Sequence, residues 1–593
     1  MNTFVAGRAR AHPRVKWPIL HSLLMTAAIL IALSETEAQE GPPNAEFRGG
    51  DPELGWQAKG TQGVVVAGRS GSADAGLEVL KQNGNAADAA AATIVALSVT
   101  DQAEFCFGSE VPILVYDARR AVVEAISGMG AAPQLATREY FDQAGGIRRN
   151  TAAAAAIPAA PDAILTLLER YGTLRFADVA VPALRLLDKH EKDWHADLAR
   201  TWRLLIAAEN SCADRRQGLR RAADYFYRGP IAREIDAWSR ANNGLIRFHD
   251  LATHTSRIEE PVQAAYRGHT IYKCGPWTQG PYLLQALRLL EGFDLSRLGF
   301  QEPATIHAIV EAMKLALADR DVYYGDPLFV EVPLSELLSD GYTEMRRELI
   351  DPQHASLIQR PGDPRGNKSL LEEEQARYGL SGPAKDTTTC VVADRWGNVV
   401  AATPSGWSGV QAGHTGVWLG SRLISFNTWS GHPNCIAPGK RPRITLTPSL
   451  VLRNGQGPPN GAPARRAAAH PGVGDPKPVL AVSVAGGDTQ DQATLQMICN
   501  YVDFHQAADV LVTTPRYATL HFTGSFNQTP PGLGELQISP QMDARVMEGL
   551  RSLGHKLKLD NPVSWRIVIC IDPQTGWMHG AGDPTAGRHA GAF

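Results

Sequence analysis

The stretch that most constrains this chain is residues 385–398, where a charged, polar edge runs directly into a β-prone run and then a turn. Three threonines, Thr387 to Thr389, precede the apolar residues 390–393. Residues 395–398, with the letters RWGN, are typical of a turn, and a second β-prone run follows at 399–403. The stretch therefore predicts a β-hairpin whose first strand opens near Thr387.

Thr387 is also a candidate nucleophile. A threonine hydroxyl needs an adjacent base before it can attack a carbonyl carbon. If the chain is cut before Thr387, the new α-amine, with a reference pKa of about 8, can act as that base, so one residue supplies both groups. Taken alone, the stretch favours an ordinary strand-opening threonine, because Thr, Cys and Val suit pleated surfaces. The rest of the chain decides between these two interpretations.

Hydrophobic periodicity indicates a large α/β body. Strands are predicted at 63–67, 111–116, 121–126, 422–426, 449–452 and 480–485. Helices are predicted as an alanine-rich pair within 73–97 broken at Gly84-Asn85, within 161–187 with a break at 171–173, and at 194–207, 231–242 and 304–324, the last being the clearest amphipathic one. No segment repeats at a fixed period, which argues against a solenoid.

A glycine pair forms the second chemical signal. The buried strand at 480–485 ends at Gly486 and Gly487, and a helix is predicted at 488–504. Unpaired backbone N–H groups at a helix start can stabilise the negative charge of a tetrahedral intermediate. The pattern alone is weak, because many strands turn into helices through glycines.

The N-terminus has the layout of an export signal. Basic residues between Arg8 and Lys16 precede an apolar stretch at 17–33, and Ala38 offers a small residue for cleavage. We expect a signal over residues 1–38 and a periplasmic or secreted protein. The alternative is an uncleaved membrane anchor, because the apolar run is near the lower length limit for spanning a bilayer.

Composition and motifs exclude several function classes. The net charge of -3 gives no basic excess for nucleic acid. The seven cysteines form no CxxC pair, there is no HExxH motif, and His432 with Cys435 lacks further ligands, so neither a metal nor a cofactor is indicated. Two segments read as exposed chain without a site of their own: the connection at 351–386 and the Gly- and Pro-rich insertion at 455–478.

Several separated stretches, in one order, resemble the γ-glutamyltransferase family of N-terminal nucleophile hydrolases. They are residues 76–90, 171–173, 318–327, 386–388, 438–442 with Thr447-Pro448, and 486–487. The resemblance implies a four-layer αββα fold and a precursor that cuts itself between Asp386 and Thr387. It implies a large part at 39–386 and a small part at 387–593, which stay associated.

The resemblance also assigns roles by position. The accessory hydroxyl beside the nucleophile falls on Ser405, and the oxyanion donors fall on the backbone of Gly486 and Gly487. Asp319 and Tyr323 match a stretch that we interpret as structural.

The positions that hold a γ-glutamyl head group in the family are altered here. The arginine position falls on or near Met129, the asparagine on Trp407, the acidic or amide position on Arg422, the aspartate on Ser425, and the serine pair on Ile444 and Thr445. A zwitterionic head group needs positive donors on one side and an acceptor on the other. The family's glycine-rich stretch reads Phe-Cys-Phe-Gly-Ser-Glu at 105–110, and residues 430–436 are too few for the long lid of some relatives.

These features predict a self-processing amidohydrolase or acylase that acts on a small-molecule amide or peptide. Trp407, Arg422, Ser425 and Thr445 are the candidate substrate-binding residues, and Arg422 with Trp407 would suit an acyl group with a carboxylate or a flat apolar part. Two alternatives stay open: a true γ-glutamyltransferase or glutathione hydrolase, and a non-enzymatic binding descendant of the fold.

Overall fold

Two seven-stranded sheets form the centre of the structure, a computed structural model that describes residues 55–366, 368–369, 387–406, 408–455, 476–526 and 528–593. The predicted export signal, Asp386 and Trp407 lie outside the described residues, as do residues 370–386 of the connection and 456–475 of the insertion.

The first sheet, sheet I, takes strands from both sides of Thr387. In spatial order its strands are His589–Ala592, Gly63–Ala67, Cys390–Asp394, Val399–Ala402, Ile113–Asp117, Val122–Ile126 and Ile258–Glu259. All neighbours are antiparallel. The hairpin predicted around residues 395–398 lies in the middle of this sheet.

The second sheet, sheet II, is also antiparallel throughout and also mixes both parts of the chain. Its strands, in spatial order, are Gln57–Gly60, Met578–Gly582, Trp565–Ile571, Lys477–Ala485, Ser449–Arg453, His269–Lys273 and Val262–Tyr266. The described residues also form three small sheets. They pair Ser408–Gln411 with Trp418–Gly420, Tyr517–Thr519 with Glu535–Ile538 and Lys556–Leu559, and Gly362–Asp363 with Lys368–Ser369.

Successive strand residues face two different cores. In sheet I, Val64 packs against sheet II, whereas Val65 packs against helices. In sheet II, Ile567 faces sheet I, whereas Val568 faces a second set of helices. Because side chains alternate across a strand, each sheet has one face on the other sheet and one face on helices. This order of layers confirms the expected αββα sandwich.

The helices form the two outer layers. Those that pack on sheet I are Ser70–Lys81, Ala86–Thr100, Ala160–Tyr171, Phe176–Val179, Val181–Leu187, Trp194–Asn210, Arg215–Tyr227, Pro230–Ala241 and Phe248–Ala252. Those that pack on sheet II are Pro281–Leu290, Leu295–Leu298, Pro303–Tyr323, Leu334–Leu337, Asp340–Arg347, Gln490–Val502, Ala508–Thr513 and Ala544–Ser552. The short helix Arg138–Gln143 contributes Phe141 to the core between the sheets.

The predicted break at Gly84-Asn85 is confirmed, and polar side chains fix it. The side chain of Asn85 accepts from the backbone N–H groups of Ala87 and Asp88, and the Asp88 carboxylate accepts from the Asn85 N–H at 3.0 Å. The same carboxylate accepts from the hydroxyl of Thr173 at 2.7 Å. The capping box therefore also anchors the turn at 171–173, which explains why these two separated motifs occur together.

The predicted strand at 422–426 is wrong. Residues Arg422–Ser425 form a single 3₁₀ turn, and all four are buried. The Arg422 guanidinium donates to the hydroxyl of Ser425, three residues later, at 3.4 Å. Residues i and i+3 lie above one another in a 3₁₀ turn but on opposite faces of a strand, so this contact requires the turn.

Two helix predictions need smaller corrections. The helix predicted at 488–504 begins with a 3₁₀ turn, Gly487–Thr489, before the α-helix Gln490–Val502. The helix at Pro303–Tyr323 is buried on every side from residue 305 to 320 rather than amphipathic. Its buried Asp319 accepts from Gln285 and Arg346, so polar positions point into protein. In the described part of the chain, no helix is long and apolar enough to span a bilayer.

Candidate active site

Three residues lie side by side just beyond the ends of the central strands of sheet I. Thr387 pairs with Ser405, and Ser405 pairs with Glu110. Both pairings keep the register of the strand ladders that they extend. Residues directly opposite one another on antiparallel strands point to the same face, so the three side chains meet.

The hydroxyl of Thr387 is buried between two polar groups. The side chain is 1% exposed, and its Oγ1 lies 3.2 Å from Ser405 Oγ and 3.4 Å from the side-chain amide of Gln490. Neither a hydroxyl nor an amide is a base at neutral pH. A proton acceptor for Thr387 must therefore come from elsewhere, and an α-amine released by cleavage would lie on the same residue.

A buried arginine from the C-terminal end donates to the backbone of Thr387. Arg588 Nη2 donates to the carbonyl oxygen of Thr387 at 3.4 Å. Its Nη1 lies 3.2 Å from the carboxylate of Asp101, which also accepts from the hydroxyl of Thr388 at 3.1 Å. The guanidinium lies 5.0 Å from the ring centroid of Trp565. This ion pair fixes the two residues that open the first strand of the hairpin.

The glycine pair forms a turn that only glycine can make. Gly486 has φ 144° and Gly487 has φ 61°, both in the region that other residues rarely adopt. A Cβ on Gly486 would lie 2.0 Å from the carbonyl oxygen of Val563. Backbone and packing therefore both require glycine at position 486.

Gln490 connects this turn to Thr387. With its amide nitrogen donating to the carbonyl oxygens of Thr445 and Val484 at 3.1 and 3.0 Å, its amide oxygen accepts from the N–H of Gly487 at 3.2 Å. The same amide group lies beside Thr387 Oγ1. The N–H of Gly487 therefore contacts Gln490, and Gln490 in turn contacts Thr387 Oγ1. In the uncut chain this N–H donates to the Gln490 side chain.

Buried ion pairs hold the residues that directly follow the glycine turn. The carboxylate of Asp488 accepts from Arg320 at 2.8 Å and from the N–H of Ser525 at 2.9 Å. Asp491 accepts from the ammonium group of Lys273 at 2.7 Å, and both side chains are fully buried. Burial raises the pKa of Asp491 to about 6, although the charge of Lys273 opposes the shift.

Arg422, expected to bind substrate, contacts protein groups. Its Nη2 donates to Ser405 Oγ at 2.8 Å, its Nη1 donates to Ser425, and its Nε donates to the carboxylate of Glu110. Arg422 and Glu110 are each 2% exposed. The arginine therefore lies beside Ser405 and Thr387, and each of its three side-chain nitrogens donates to a protein group.

The other candidate binding residues are placed unequally. Ser425 lies beside Arg422, and the hydroxyl of Thr445 is buried without a hydrogen-bond partner among the described residues. Met129, at the altered arginine position, is 3% exposed and belongs to the core between the sheets. Ile444 is held by backbone pairing with Trp277. None of these four positions carries a charged side chain that could donate paired hydrogen bonds to the carboxylate of a zwitterionic head group.

One cluster of the described residues has metal-ligand chemistry, and it lies in the outer layer on sheet II. It consists of His307, Glu311 and His555, all buried. Glu311 already accepts from Lys314 at 2.7 Å and from Arg360 at 3.0 Å, and the two imidazoles contact each other at 2.9 Å. Two cations on the carboxylate disfavour a third, so the cluster fits a structural network.

Four residues at the site escaped the sequence analysis: Glu110, Asp101, Gln490 and Arg588. Glu110 ends the altered stretch at 105–110, and Gln490 follows the glycine pair by three residues, so both carried a positional signal. Asp101 and Arg588 are 487 positions apart and meet only through the fold.

Comparisons with known proteins agree with this geometry. The family model for gamma-glutamyltranspeptidase matches residues 72–190, 188–463 and 472–593. An acylase ACY 1 proenzyme from Pseudomonas sp. (strain SE83) is 29% identical over 547 residues, which cover 84% of this chain and 88% of that protein. A glutathione hydrolase proenzyme from Bacillus subtilis (strain 168) is 27% identical over 570 residues, which cover 88% of this chain and 90% of that protein.

A solved structure shares the whole architecture. The crystal structure of a cephalosporin acylase from Bacillus halodurans superposes with a TM-score of 0.72 at 25% identity. The match covers 93% of this chain and 98% of that one. The similarity therefore extends over both outer layers as well as the two sheets.

Proposed function

Because the chain belongs to the γ-glutamyltranspeptidase family, we propose that it is an acylase-type amidohydrolase that generates its own nucleophile at Thr387. The observation that carries this proposal is the 3.2 Å contact between Thr387 Oγ1 and Ser405 Oγ, beside Gln490, whose amide also contacts the N–H of Gly487 in the glycine turn. The relatives named above are hydrolase and acylase proenzymes, so the non-enzymatic interpretation is set aside.

The first reaction is self-cleavage. Thr387 Oγ attacks the carbonyl carbon of Asp386, the C–N bond breaks, and the hydroxyl proton passes to the departing nitrogen, which leaves an ester. Water then hydrolyses the ester to give a carboxylate on Asp386 and a free α-amine on Thr387. The large part, 39–386, and the small part, 387–593, remain together because both contribute hydrogen-bonded strands to both sheets.

The second reaction uses the new amine as base. It accepts the proton of Thr387 Oγ as the oxygen attacks the substrate amide, and the N–H groups of Gly486 and Gly487 stabilise the oxyanion. The proton goes on to the leaving amine, and water resolves the acyl-enzyme in the reverse sense. For the Gly487 N–H to serve, the side chain of Gln490 must turn away from it.

The acyl group is proposed to lack the α-amino-acid head of a γ-glutamyl substrate. Met129 is in a core, Ile444 is in backbone pairing, and Arg422 is bound to Glu110, so the positive fork and its acceptor are absent from these positions. Thr445 and Ser425, with Trp407, remain proposed to contact a small-molecule amide or peptide. We further propose export through residues 1–38, with retention as an anchor as the alternative.

A second candidate, glutathione hydrolysis, is kept because the Bacillus subtilis relative carries that name. Purified processed protein should release chromophore faster from simple acyl anilides than from a γ-glutamyl anilide at equal concentration. Faster release from the γ-glutamyl anilide would overturn the acylase assignment in favour of the second candidate.

A further inference from the structure

We propose that Arg422 is a positioning residue for the nucleophile, held by Glu110 so that it fixes and polarises the hydroxyl of Ser405 toward Thr387. The proposal rests on the proposed function, because it concerns how Thr387 becomes reactive. It assigns Arg422 to the chemistry of the site rather than to the binding of the acyl group.

The hydrogen-bond direction supports this role. An arginine can only donate, so its contact with Ser405 Oγ uses a lone pair of the serine. The serine O–H can then donate to Thr387 Oγ1, which lies 3.2 Å from Ser405 Oγ. A chain of donors therefore runs from the guanidinium through Ser405 to Thr387, and it favours negative charge on Thr387 Oγ as its proton leaves.

Glu110 makes this arrangement stable. A buried guanidinium without a counter-charge is strongly unfavourable, and the Glu110 carboxylate supplies that charge at the Nε edge. Glu110 also exchanges backbone hydrogen bonds with Ser405. The carboxylate and the hydroxyl are thus set side by side by the sheet, and the arginine bridges them with two edges of one rigid plane.

This bridge has a consequence for self-cleavage. Before the chain is cut, the nitrogen of Thr387 is part of an amide and cannot act as a base. The donor chain from Arg422 is already in place in the uncut chain, so it can promote attack of Thr387 Oγ on the preceding carbonyl. Arg422 should therefore affect both self-cleavage and the later hydrolysis.

The test compares Arg422→Lys with Arg346→Lys. Lysine keeps the charge but cannot bridge two groups as a planar fork can. We expect Arg422→Lys to lower the self-cleavage rate and kcat by about 10- to 100-fold with KM changed less than about 2-fold. Arg346 is equally buried and paired with Asp319, away from Thr387, so its variant should match the wild-type rates per folded molecule.

A double-mutant cycle separates positioning from mere structure. In a Ser405→Ala background, Arg422→Lys should cost less than about 2-fold, because the group through which it acts is gone. The same loss in both backgrounds would overturn the proposal. Wild-type protein that neither cleaves itself nor hydrolyses amides would instead refute the proposed function, so the two failures are distinguishable.

A second pair covers the case in which these variants are too slow or fail to fold. Glu110→Asp keeps a carboxylate as counter-charge for the guanidinium, so the self-cleavage rate should fall less than about 3-fold. Glu110→Ala removes the counter-charge and releases the guanidinium. Its self-cleavage rate should therefore fall as far as the rate expected for Arg422→Lys. Equal rates for the two Glu110 variants would contradict the proposal.

Discussion

Two sets of positions around Thr387 differ in what holds them. The proposed reacting set, formed by Thr387, Ser405 and the glycine pair, is placed by backbone register and by positive φ angles. The positions that hold a γ-glutamyl head group in the family depend on the identity of their side chains, and here Met129 and Ile444 are apolar and buried. If the proposed mechanism holds, groups that are placed by backbone geometry persist while the side chains at the head-group positions are exchanged.

The largest expected effect is on the backbone-held set, with Gly486→Ala. The new Cβ would meet the Val563 carbonyl, and φ 144° is strained for alanine. We expect hydrolysis to fall by at least about 10³-fold, because the turn that presents the oxyanion donors must move. Single-turnover assays measure the loss.

The matched control is Gly576→Ala, which also has positive φ but open space around its Cβ. It should cost about 1 kcal/mol of stability without lowering turnover. A Gly486→Ala variant that is as active as this control would break the distinction between the two sets.

The side-chain set can be challenged with Met129→Arg. If the missing arginine were the one change that prevents binding of a γ-glutamyl head group, arginine at this position should restore γ-glutamyl hydrolysis. We expect instead a loss of about 3 kcal/mol in the free energy of unfolding, because the charge enters the core between the sheets. Denaturant titration and the anilide assay check both outcomes. A stable variant with new γ-glutamyl activity would contradict this account.

Arg588→Lys tests how firmly the backbone of Thr387 must be held. Lysine cannot contact the Thr387 carbonyl and Asp101 with separate nitrogens, so the self-cleavage rate should fall about 10-fold. Arg545→Lys, at an exposed pair with Glu302, is the control and should leave the rate unchanged. An unchanged rate for Arg588→Lys would show that register alone places the nucleophile.

The smallest effect concerns the pH dependence of stability and the buried His521. Burial and nearby Lys314 lower the pKa of His521 to about 3. Its folded pKa is below the unfolded value of about 6.5, so its contribution to stability is present above pH 6.5 and is lost as pH falls toward 3. This one residue lowers stability by at most about 1.4 kcal/mol per pH unit in that window.

His521→Asn keeps an acceptor for the N–H of Gly534, which donates to His521 Nδ1 at 3.1 Å. The variant should therefore lose stability less steeply between pH 6.5 and 5 in denaturant titrations. An unchanged slope would show that this histidine does not contribute to the pH dependence of stability.

The sequence predicted the hairpin and the glycine turn because each depends on local periodicity or on a residue with special backbone freedom, whereas the four layers were implied by the resemblance to the γ-glutamyltransferase family. It failed at residues 422–426, where an apolar run suggested a strand. The actual turn is set by Arg422 reaching Glu110, which lies 312 positions away. Asp101 and Arg588 were missed for the same reason, since they meet only through the fold.

The central claim is that Thr387 becomes an N-terminal residue by its own attack on the preceding carbonyl. Intact-mass measurement and N-terminal sequencing of the purified protein test it directly. We expect a fragment that begins at Thr387, slower formation of that fragment in Thr387→Ser, and a single uncut chain in Thr387→Ala. A wild-type chain that stays whole, or a Thr387→Ala chain that is cut at the same bond, would contradict it.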